Sequence, residues 1–572
     1  MTTKFYTNIE RYGNNILYMG YENGLPVKKK VKYRPHLFTE ATGKKTEYTS
    51  FSTKKHLDRK EFDSIKDMRD YIDTYSDVSN FSVYGCSDMI RQFTANEFRG
   101  KIEWDYSQAK IWFFDIETRV EGLDIDQDSI LDIRIGEKEA KISYKTAMML
   151  LDHDKNFEVL LDDEWYPIKQ SPIYVAGFPK PELAQQEVLL ISMINHHSGM
   201  IHLWANKKVD VDNEVFSIDV NDYVLKLKSM KGMEGSHKID SYSVDLRQFD
   251  IDETAMLNDF LMFWQHQRID VISGWNSEEF DIPYLVNRLQ RILGEERTAD
   301  MSPWGIVKKR TFKNDLGQSK ETFDIYGVTH LDYLSLYKKF NPGSKESFKL
   351  DFIAKLELGH GKLPLPGETF KDNYINTWNS FILYNLIDTH LLHQLETEML
   401  QVRLAMQIAY MSKCNLGDVV SAMRVWESFI YNYFLSIGIV EDYSKGNPIK
   451  KHIVGAYVKD VVPRKYGWSY SIDATALYPS IIMQNNISPE TIVGHADMFI
   501  DDVLFGEYKK FVKEGTILSA NGLITTNEST GFMPILIKQM FELRKETKDR
   551  MLQLKKERVM IKNRLAELGV VV

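Results

Sequence analysis

The chain has 572 residues, a length that predicts several domains and excludes a single small binding module. Hydrophobic residues make up 43% and charged residues 27%, which excludes a broadly disordered protein, and the net charge of −9 argues against a surface uniformly coated for nucleic-acid binding. Two distant cysteines exclude a disulfide framework and a cysteine-rich zinc site. With no signal-peptide core and no apolar run of about 18 residues, we expect a soluble cytoplasmic protein without a membrane partner.

Residues 1–105 predict a mixed α/β first domain. Short β-rich pieces at 15–21 and 81–84 alternate with turn signals and with a helical stretch near 61–75. The run 28–34 alternates lysine and arginine with apolar and aromatic residues. This pattern suits contact with a single-stranded template or RNA, but it also suits a solvated strand face, which we favour.

A second domain, 106–397, is predicted to begin at the apolar run 110–118. A continuous apolar run that ends in acid is typical of a strand buried on both faces, with a site at its end. Asp115 and Glu117 lie two residues apart on this strand, so their side chains leave the same face, where a divalent metal suits them. Solvated strand ends carry the same spacing, so further carboxylates are needed. Residues 122–171 read as an insertion to which the sequence assigns no function.

Two later carboxylates occur in informative settings. Asp281 follows Asn276 in the run Trp-Asn-Ser-Glu-Glu-Phe-Asp-Ile-Pro. Asp388 follows Tyr384 by four residues on a predicted helix, so the phenol and the carboxylate share a face, although core packing is an alternative for the tyrosine. Four acidic groups in an α/β domain suit phosphodiester hydrolysis, in which two hard cations about 4 Å apart activate a water and stabilise the leaving oxygen.

The motifs Asp115-Ile-Glu117, 276–281 and 384–388, in this order, resemble those of the proofreading exonuclease domains of family B DNA polymerases. The resemblance implies a ribonuclease-H-like 3′→5′ exonuclease with two Mg²⁺ ions per active site, for which Mn²⁺ substitutes. It also implies these roles: Asp115 bridging both metals, Glu117 and Asp388 completing one metal site, Asp281 serving the second, Tyr384 orienting the attacking water and Asn276 contacting substrate.

Two features between the second and third motifs fit the same resemblance. Asp332 looks like the family's acidic residue before its third motif, which we interpret as support rather than as a ligand. Residues 309–323 read as two strands around an Asp-Leu-Gly-Gln turn. In the family a hairpin at this place helps to separate the primer end from the template, and a plain surface hairpin is the alternative.

Residues 398–446 are predicted to be helical and to return to the first domain, and a β-rich unit is predicted from Gly455 onward. The run 470–482 is predicted to be a strand carrying Asp473, followed by a turn at Tyr478-Pro. An aspartate at a strand end binds Mg²⁺ together with a nucleoside triphosphate. This run closely resembles the first catalytic motif of family B polymerases of the T-even phage branch.

That resemblance places the first part of a polymerase palm at 447–530. It implies that Asp473 is a catalytic metal ligand and that the ring of Tyr478 lies under the incoming sugar, where it excludes a 2′-hydroxyl; ordinary core packing is the alternative for this tyrosine. Gly455 and Tyr457 match less closely the family motif that contacts the template.

Residues 531–572 correspond to the first fingers helix of the family, with Pro534 suited to the helix's first turn. From Lys538 onward there are ten Lys or Arg residues against five Asp or Glu residues. Arg544 and Lys548 share one helix face, beside Lys545. The resemblance implies that this basic helix holds the triphosphate, and a solvated salt-bridge face is the bland alternative.

The resemblance breaks off within the fingers, since the second fingers helix, the second palm carboxylate and the thumb are absent from this sequence. We therefore expect the N-terminal portion of a replicative DNA-directed DNA polymerase, acting on primer–template DNA and dNTP. It would polymerise only with a C-terminal polypeptide that supplies the remainder and any contact with a sliding clamp. A separate gene for that polypeptide is slightly favoured over truncation. The alternatives are a stand-alone 3′→5′ exonuclease with a vestigial palm and a nucleic-acid-binding regulatory module.

Overall fold

The structure is a computed structural model in which the chain forms two compact units, Met1–Lys445 and Gly446–Val572. None of the helices in the described part of the chain combines the length and the apolar composition needed to cross a membrane. The described residues are 3–568 except 44, 76–77, 79–80, 121–129, 137, 144–145, 148–149, 151–155, 162–163, 169–178, 210–214, 220–221, 229–240, 315–316, 368–369, 444–459, 461, 475 and 499.

The first unit combines several sheets with helices packed on their faces. Its strands are β1 (Lys4–Tyr12), β2 (Asn15–Glu22), β3 (Leu25–Lys32), β4 (His36–Glu40), β5 (Tyr48–Ser50), β6 (His56–Glu61), β7 (Val83–Tyr84), β8 (Ile111–Thr118), β9 (Ile130–Ile135), β10 (Lys138–Ser143), β11 (Glu158–Leu161), β12 (Glu164–Pro167), β13 (Val188–Asn195), β14 (Ile201–Ala205), β15 (Phe216–Asp219), β16 (Val224–Leu227), β17 (Ser241–Gln248), β18 (Val271–Ser273), β19 (Val307–Lys313), β20 (Ser319–Ile325), β21 (Thr329–His330) and β22 (Ile439–Val440). Its helices are α1 (Ile65–Tyr75), α2 (Met89–Glu97), α3 (Glu253–His266), α4 (Asp281–Leu293), α5 (Glu295–Thr298), α6 (Tyr333–Phe340), α7 (Leu350–Leu358), α8 (Phe370–Asn376), α9 (Trp378–Met399), α10 (Gln401–Ser412) and α11 (Ala422–Ser436).

The central sheet has eight strands in the order β15-β16-β17-β14-β13-β8-β18-β21. Strand β8 lies inside it, antiparallel to β13 and parallel to β18. Alternate residues of β8 enter two different cores: Phe113 joins one and Phe114 the other, and both are fully buried. A strand covered on both faces explains why the run is continuously apolar.

The predicted helical segment 398–446 is partly wrong. Helices α10 and α11 occupy most of it, but Ile439–Val440 forms β22, which pairs in parallel with β5 in a sheet of the first domain. A local helical pattern could not indicate this pairing, because its partner strand lies almost 400 residues earlier in the chain.

The segment predicted to be an insertion contains a separate four-stranded sheet in the order β10-β9-β11-β12. Its own small core includes Leu131, Ile133 and Val159. The sheet is inserted between β8 and β13, which pair through Thr118 and Val188. The sequence of 144–151, in the same segment, is typical of a helix, and this stretch lies largely outside the described residues.

The described part of the second unit contains a small sheet of β23 (Ile492–His495), β25 (Leu523–Thr526) and β24 (Thr516–Leu518), and the helices α12 (Leu477–Gln484), α13 (Ile500–Leu504) and α14 (Phe532–Glu567). The prediction of a strand at 470–473 is wrong. These residues have no regular structure, and the side chains of Tyr470 and Ile472 are more than nine-tenths exposed. A strand needs a neighbour to satisfy its backbone groups, and no described strand of this unit pairs with the segment.

Candidate active site

The end of β8 presents two carboxylates on the face that helix α9 covers. Ile111 and Phe113 occupy this face in the buried part of the strand, and Asp115 and Glu117 continue the same row. Both acidic residues are partly exposed, unlike the apolar residues before them. Because side chains alternate along a strand, the same row runs from the buried core to the partly exposed end of β8.

Helix α9 brings a third carboxylate to this position. The helix packs against β8 and β13, with Leu386 and Ile387 fully buried in the shared core. Asp388 is 2% exposed. Asn385, three residues earlier, donates from Nδ2 to Asp115 Oδ2 at 2.7 Å. Because residues three apart share a helix face, the Asn385 amide and the Asp388 carboxylate both lie next to the carboxylates of β8.

Asp115, Glu117 and Asp388 form a compact cluster in which one oxygen of each carboxylate lies within 4.8 Å of the others. Asp281, the first residue of α4, is 4% exposed, and its Oδ1 accepts a long hydrogen bond of 3.4 Å from the backbone N–H of Ile116. The structure thus brings three of the predicted acids together and places the fourth beside the strand that carries two of them.

The loop 274–280 fixes the start of α4. A Cβ on Gly274 would lie 2.8 Å from Ser277 Cβ and 3.0 Å from Phe114 O, so only glycine fits this approach to β8. Asn276, the predicted substrate contact, has a positive φ of 61° in this loop. The backbone N–H of Glu278 donates to Asp332 Oδ2 at 2.9 Å. Asp332, predicted as support, therefore holds the loop that leads to Asp281.

Burial raises the pKa of all four carboxyl groups. Burial, followed by the charge of Asp388, raises the pKa of Glu117 to about 8, and burial raises that of Asp281 to about 7. Burial, then the charges of Glu117 and Asp281, raises the pKa of Asp115. Burial also raises the pKa of Asp388, against the opposing effect of Lys362. Ionisation of all four carboxyl groups is therefore unfavourable without a counter-charge, and a bound cation would supply one.

Lys362 is a member of this site that the sequence analysis missed. Its Nζ donates to Asp388 Oδ2 at 2.5 Å and to the Tyr384 hydroxyl at 3.0 Å. It comes from the loop after α7 (Leu350–Leu358), where its backbone N–H donates to Asp351 Oδ1 at 2.8 Å. No local pattern singles out this lysine. Asn385, also missed, could have been found from its spacing to Asp388.

The donor set fits a hard divalent cation. All the groups offer oxygen, and Asp388 Oδ1 is buried without a hydrogen-bond partner, which is unusual for a carboxylate oxygen unless it has a ligand. The pKa of the Tyr384 hydroxyl is raised, chiefly by burial and then by Asp388, so it remains a protonated donor. These residues could hold a metal while an uncharged phenol lies beside it.

The second unit does not gather its predicted site residues in this way. Asp473 is exposed on irregular backbone, and it belongs to no three-acid cluster among the described residues. Tyr478 lies in α12 and is 73% exposed. The basic side chains predicted on α14 are exposed: Arg544, Lys545 and Lys548. Gly455 and Tyr457 lie outside the described residues.

Comparison with protein families gives two matches along the chain. The range 169–353, which includes Asp281, matches a model of "DNA polymerase family B, exonuclease domain". The range 470–568, which includes Asp473, matches a model of "DNA polymerase family B". Both matched ranges are thus similar to family B of the DNA polymerases. The predicted resemblance to this family is thereby confirmed. Asp115 and Asp388 lie outside the two matched ranges.

Two phage proteins, each named DNA-directed DNA polymerase, are similar to this chain over almost its whole length. The Escherichia phage RB69 protein is 26% identical over 98% of this chain and 56% of its own length. The Enterobacteria phage T4 protein is 28% identical over 96% of this chain and 54% of its own length. A DNA polymerase of Paramecium bursaria Chlorella virus NY2A is 25% identical over 53% of this chain and 35% of its own length. The chain thus spans about half the length of the phage relatives.

Proposed function

We propose that the first unit is a 3′→5′ exonuclease that hydrolyses DNA by two-metal catalysis. The observation that carries this proposal is the cluster of Asp115, Glu117 and Asp388, with Asp281 beside it, in a chain that matches a family B exonuclease domain. The domain would be ribonuclease-H-like and would extend over 106–397, with the small sheet as an insertion. Its role would be proofreading within a replicative polymerase.

In this proposal Asp115, Glu117 and Asp388 hold one cation, and Asp115 and Asp281 hold the second. Mg²⁺ or Mn²⁺ bound there would activate the attacking water and stabilise the leaving oxygen. Asn385 holds Asp115 by its side-chain amide, and Lys362 offsets the charge of Asp388. The role that these contacts suggest is to keep the carboxylates in position while the charge of the site changes.

Tyr384 would orient the attacking water. Its hydroxyl accepts a hydrogen bond from Lys362 Nζ, so its own proton is available for donation. Because its pKa is raised, it stays neutral at the pH at which the carboxylates are ionised by metal binding. Asn276, on the loop before Asp281, is proposed to contact the bound strand.

The test is digestion of a 3′-labelled single-stranded oligonucleotide by the purified chain with Mg²⁺ or Mn²⁺. The double variant Asp115→Ala/Glu117→Ala should lower the rate by several orders of magnitude, because metal catalysis supplies most of the barrier reduction. Glu295→Ala/Glu296→Ala, which removes two exposed acids of α5, is the matched control and should retain the wild-type rate. Undiminished digestion by the first variant would refute the exonuclease assignment.

We further propose that the second unit supplies the first part of a polymerase palm and the first fingers helix, over 447–530 and 531–572. The match of 470–568 to the family supports this role. Asp473 would bind a catalytic metal, and Tyr478 would lie under the sugar of the incoming dNTP. The basic side chains of α14 (Phe532–Glu567) would hold the triphosphate: Arg544, Lys545 and Lys548.

DNA synthesis on a primer–template would then require the remaining palm, fingers and thumb, which the longer relatives have room to contain. We propose that a C-terminal polypeptide carries them and joins this chain, and that any sliding clamp acts through that polypeptide. If the purified chain alone extends a primer, this part of the proposal fails, and the exonuclease part stands unaffected.

A further inference from the structure

A hairpin of the first unit contacts the loop before Asp281 through an arginine, Arg310, and more weakly through Asn314, whose Nδ2 donates to Glu279 Oε2 at 3.4 Å. The hairpin consists of β19 (Val307–Lys313) and β20 (Ser319–Ile325), paired over their whole length. Arg310, in the middle of β19, donates from Nε to Asp324 Oδ1 on β20 at 2.8 Å. From Nη2 it donates to Glu278 Oε1 at 2.7 Å. The planar guanidinium thus bridges the hairpin to a residue of the loop 274–280.

Two acidic residues, Glu278 and Asp332, lie close together at the contacted loop. Glu278 donates its backbone N–H to Asp332, which is 6% exposed. Burial, and to a smaller extent the charge of Glu278, raises the pKa of Asp332 to about 6. Arg310 supplies a positive charge at this point.

The same loop determines where α4 begins. Its turn is closed by hydrogen bonds from the backbone N–H groups of Glu279 and Phe280 to Asn276 O, and of Ile282 to Ser277 O. Asp281 directly follows Phe280, and its Oδ1 accepts a hydrogen bond from the backbone N–H of Ile116 on β8. A shift of Glu278, three residues earlier, would therefore be passed to Asp281 through a short, hydrogen-bonded turn.

We propose that Arg310 is a positioning residue that holds the loop 274–280 and so keeps Asp281 in place for metal binding. The inference rests on the proposed two-metal exonuclease. It makes the hairpin a structural part of the metal site: whatever displaces β19 also displaces a carboxylate ligand.

The hairpin offers a matched control for this proposal. Lys309, the neighbouring residue on β19, forms a cross-strand ion pair with Glu321 at 2.6 Å. This pair resembles the pair of Arg310 and Asp324 in chemistry and in location, but neither member contacts the loop among the interactions of the described residues. Lys309→Ala therefore removes an ion pair of the hairpin without removing the link to Glu278.

The experiment measures Mn²⁺ binding to the full chain by isothermal titration calorimetry, together with the Mn²⁺ dependence of single-strand digestion. Arg310→Ala should weaken the weaker Mn²⁺ site by about 10-fold, the scale of effects seen for residues that support metal ligands. The KM for the oligonucleotide should change by less than about twofold, because Arg310 acts on the ligand and not on DNA. Arg310→Lys keeps the positive charge but not the two-sided contact, so its Mn²⁺ affinity should lie between those of Arg310→Ala and the wild type.

A second variant separates positioning from general loss of stability. In the Arg310→Ala background, Glu278→Gln removes the repulsion between Glu278 and Asp332, so part of the lost Mn²⁺ affinity should return. Wild-type Mn²⁺ affinity in Arg310→Ala would overturn the inference, as would an equal loss in Lys309→Ala. If Arg310→Ala does not fold, Glu278→Lys, which reverses the charge at the contact, should weaken Mn²⁺ binding, and unchanged binding overturns the inference. If the Asp115→Ala/Glu117→Ala variant binds Mn²⁺ as the wild-type chain does, the proposed function would instead be refuted.

Discussion

Lys362 brings a positive charge to the carboxylate cluster. Its side chain is 28% exposed, whereas that of Asp388 is 2% exposed, so loss of the lysine would leave a buried carboxylate without its cation. Its second contact, to the Tyr384 hydroxyl, fixes the direction in which that phenol donates. The lysine therefore connects the charge of a proposed metal ligand with the orientation of the proposed attacking water.

We predict that Lys362→Met lowers the rate of single-strand digestion by about 10- to 100-fold, because Asp388 and Tyr384 lose the group that orients them. Lys355→Met is the matched control. That lysine pairs with Asp351 at 2.6 Å, but its side chain is 61% exposed, so its loss should leave the rate unchanged. Steady-state kinetics with a labelled oligonucleotide measures both. Equal rates for Lys362→Met and the wild type would contradict the prediction.

Helix α14 (Phe532–Glu567) exposes an apolar stripe within the second unit. Met551, Leu554 and Ile561 are 43%, 53% and 60% exposed, respectively. Their spacings of three and seven residues place them on one face, as in helices that pack against another helix. Near its start the same helix is anchored, since Leu536 is buried and the Gly531 N–H donates to Asn486 Oδ1 at 2.9 Å.

We predict that this stripe is where the proposed C-terminal polypeptide packs. Leu554→Glu/Ile561→Glu should abolish association and primer extension in the reconstituted mixture, because charges would be buried at an apolar contact. Lys556→Ser, on the opposite face, should leave both intact. Analytical ultracentrifugation measures association of the two polypeptides, and elongation of a labelled primer measures extension. Asp473→Asn should abolish extension but keep association. If the glutamate variant still associates, the stripe is not the docking face.

The carboxylate cluster also makes the stability of the molecule depend on pH and on metal. Glu117 and Asp281 have pKa values of about 8 and 7 in the folded chain, above the usual values of about 4.3 and 3.9 in unfolded chains. Between about pH 5 and 8 the metal-free native state therefore holds protons that the unfolded state has released. Stability falls as pH rises through this window.

We predict that, with EDTA present, the thermal unfolding midpoint decreases from about pH 5.5 to about pH 8.5. Mn²⁺ should raise the midpoint more at the higher pH, because it binds the ionised carboxylates without first displacing protons. Differential scanning fluorimetry measures both effects. Asp115→Ala/Glu117→Ala should reduce the pH slope and the gain from Mn²⁺. Equal gains at the two pH values would show that these groups do not titrate in this window.

Features that depend on a single element could be predicted from the sequence. The apolar run before Asp115 forms a strand, the acids two residues apart share its face, and Tyr384 and Asp388 share a face of one helix. These features follow from the periods of the strand and the helix, which every short segment carries in itself. The order of the motifs was enough to indicate the family.

Contacts between elements were decided by the tertiary structure. Lys362 reaches Asp388 because α7 and α9 pack together, and Arg310 reaches Glu278 across 32 residues. The sequence predicted a strand at 470–473, but a strand exists only with a partner, and none of the described strands pairs there. Local periodicity decides which face of an element a residue occupies, whereas the packing of distant segments decides what that face meets.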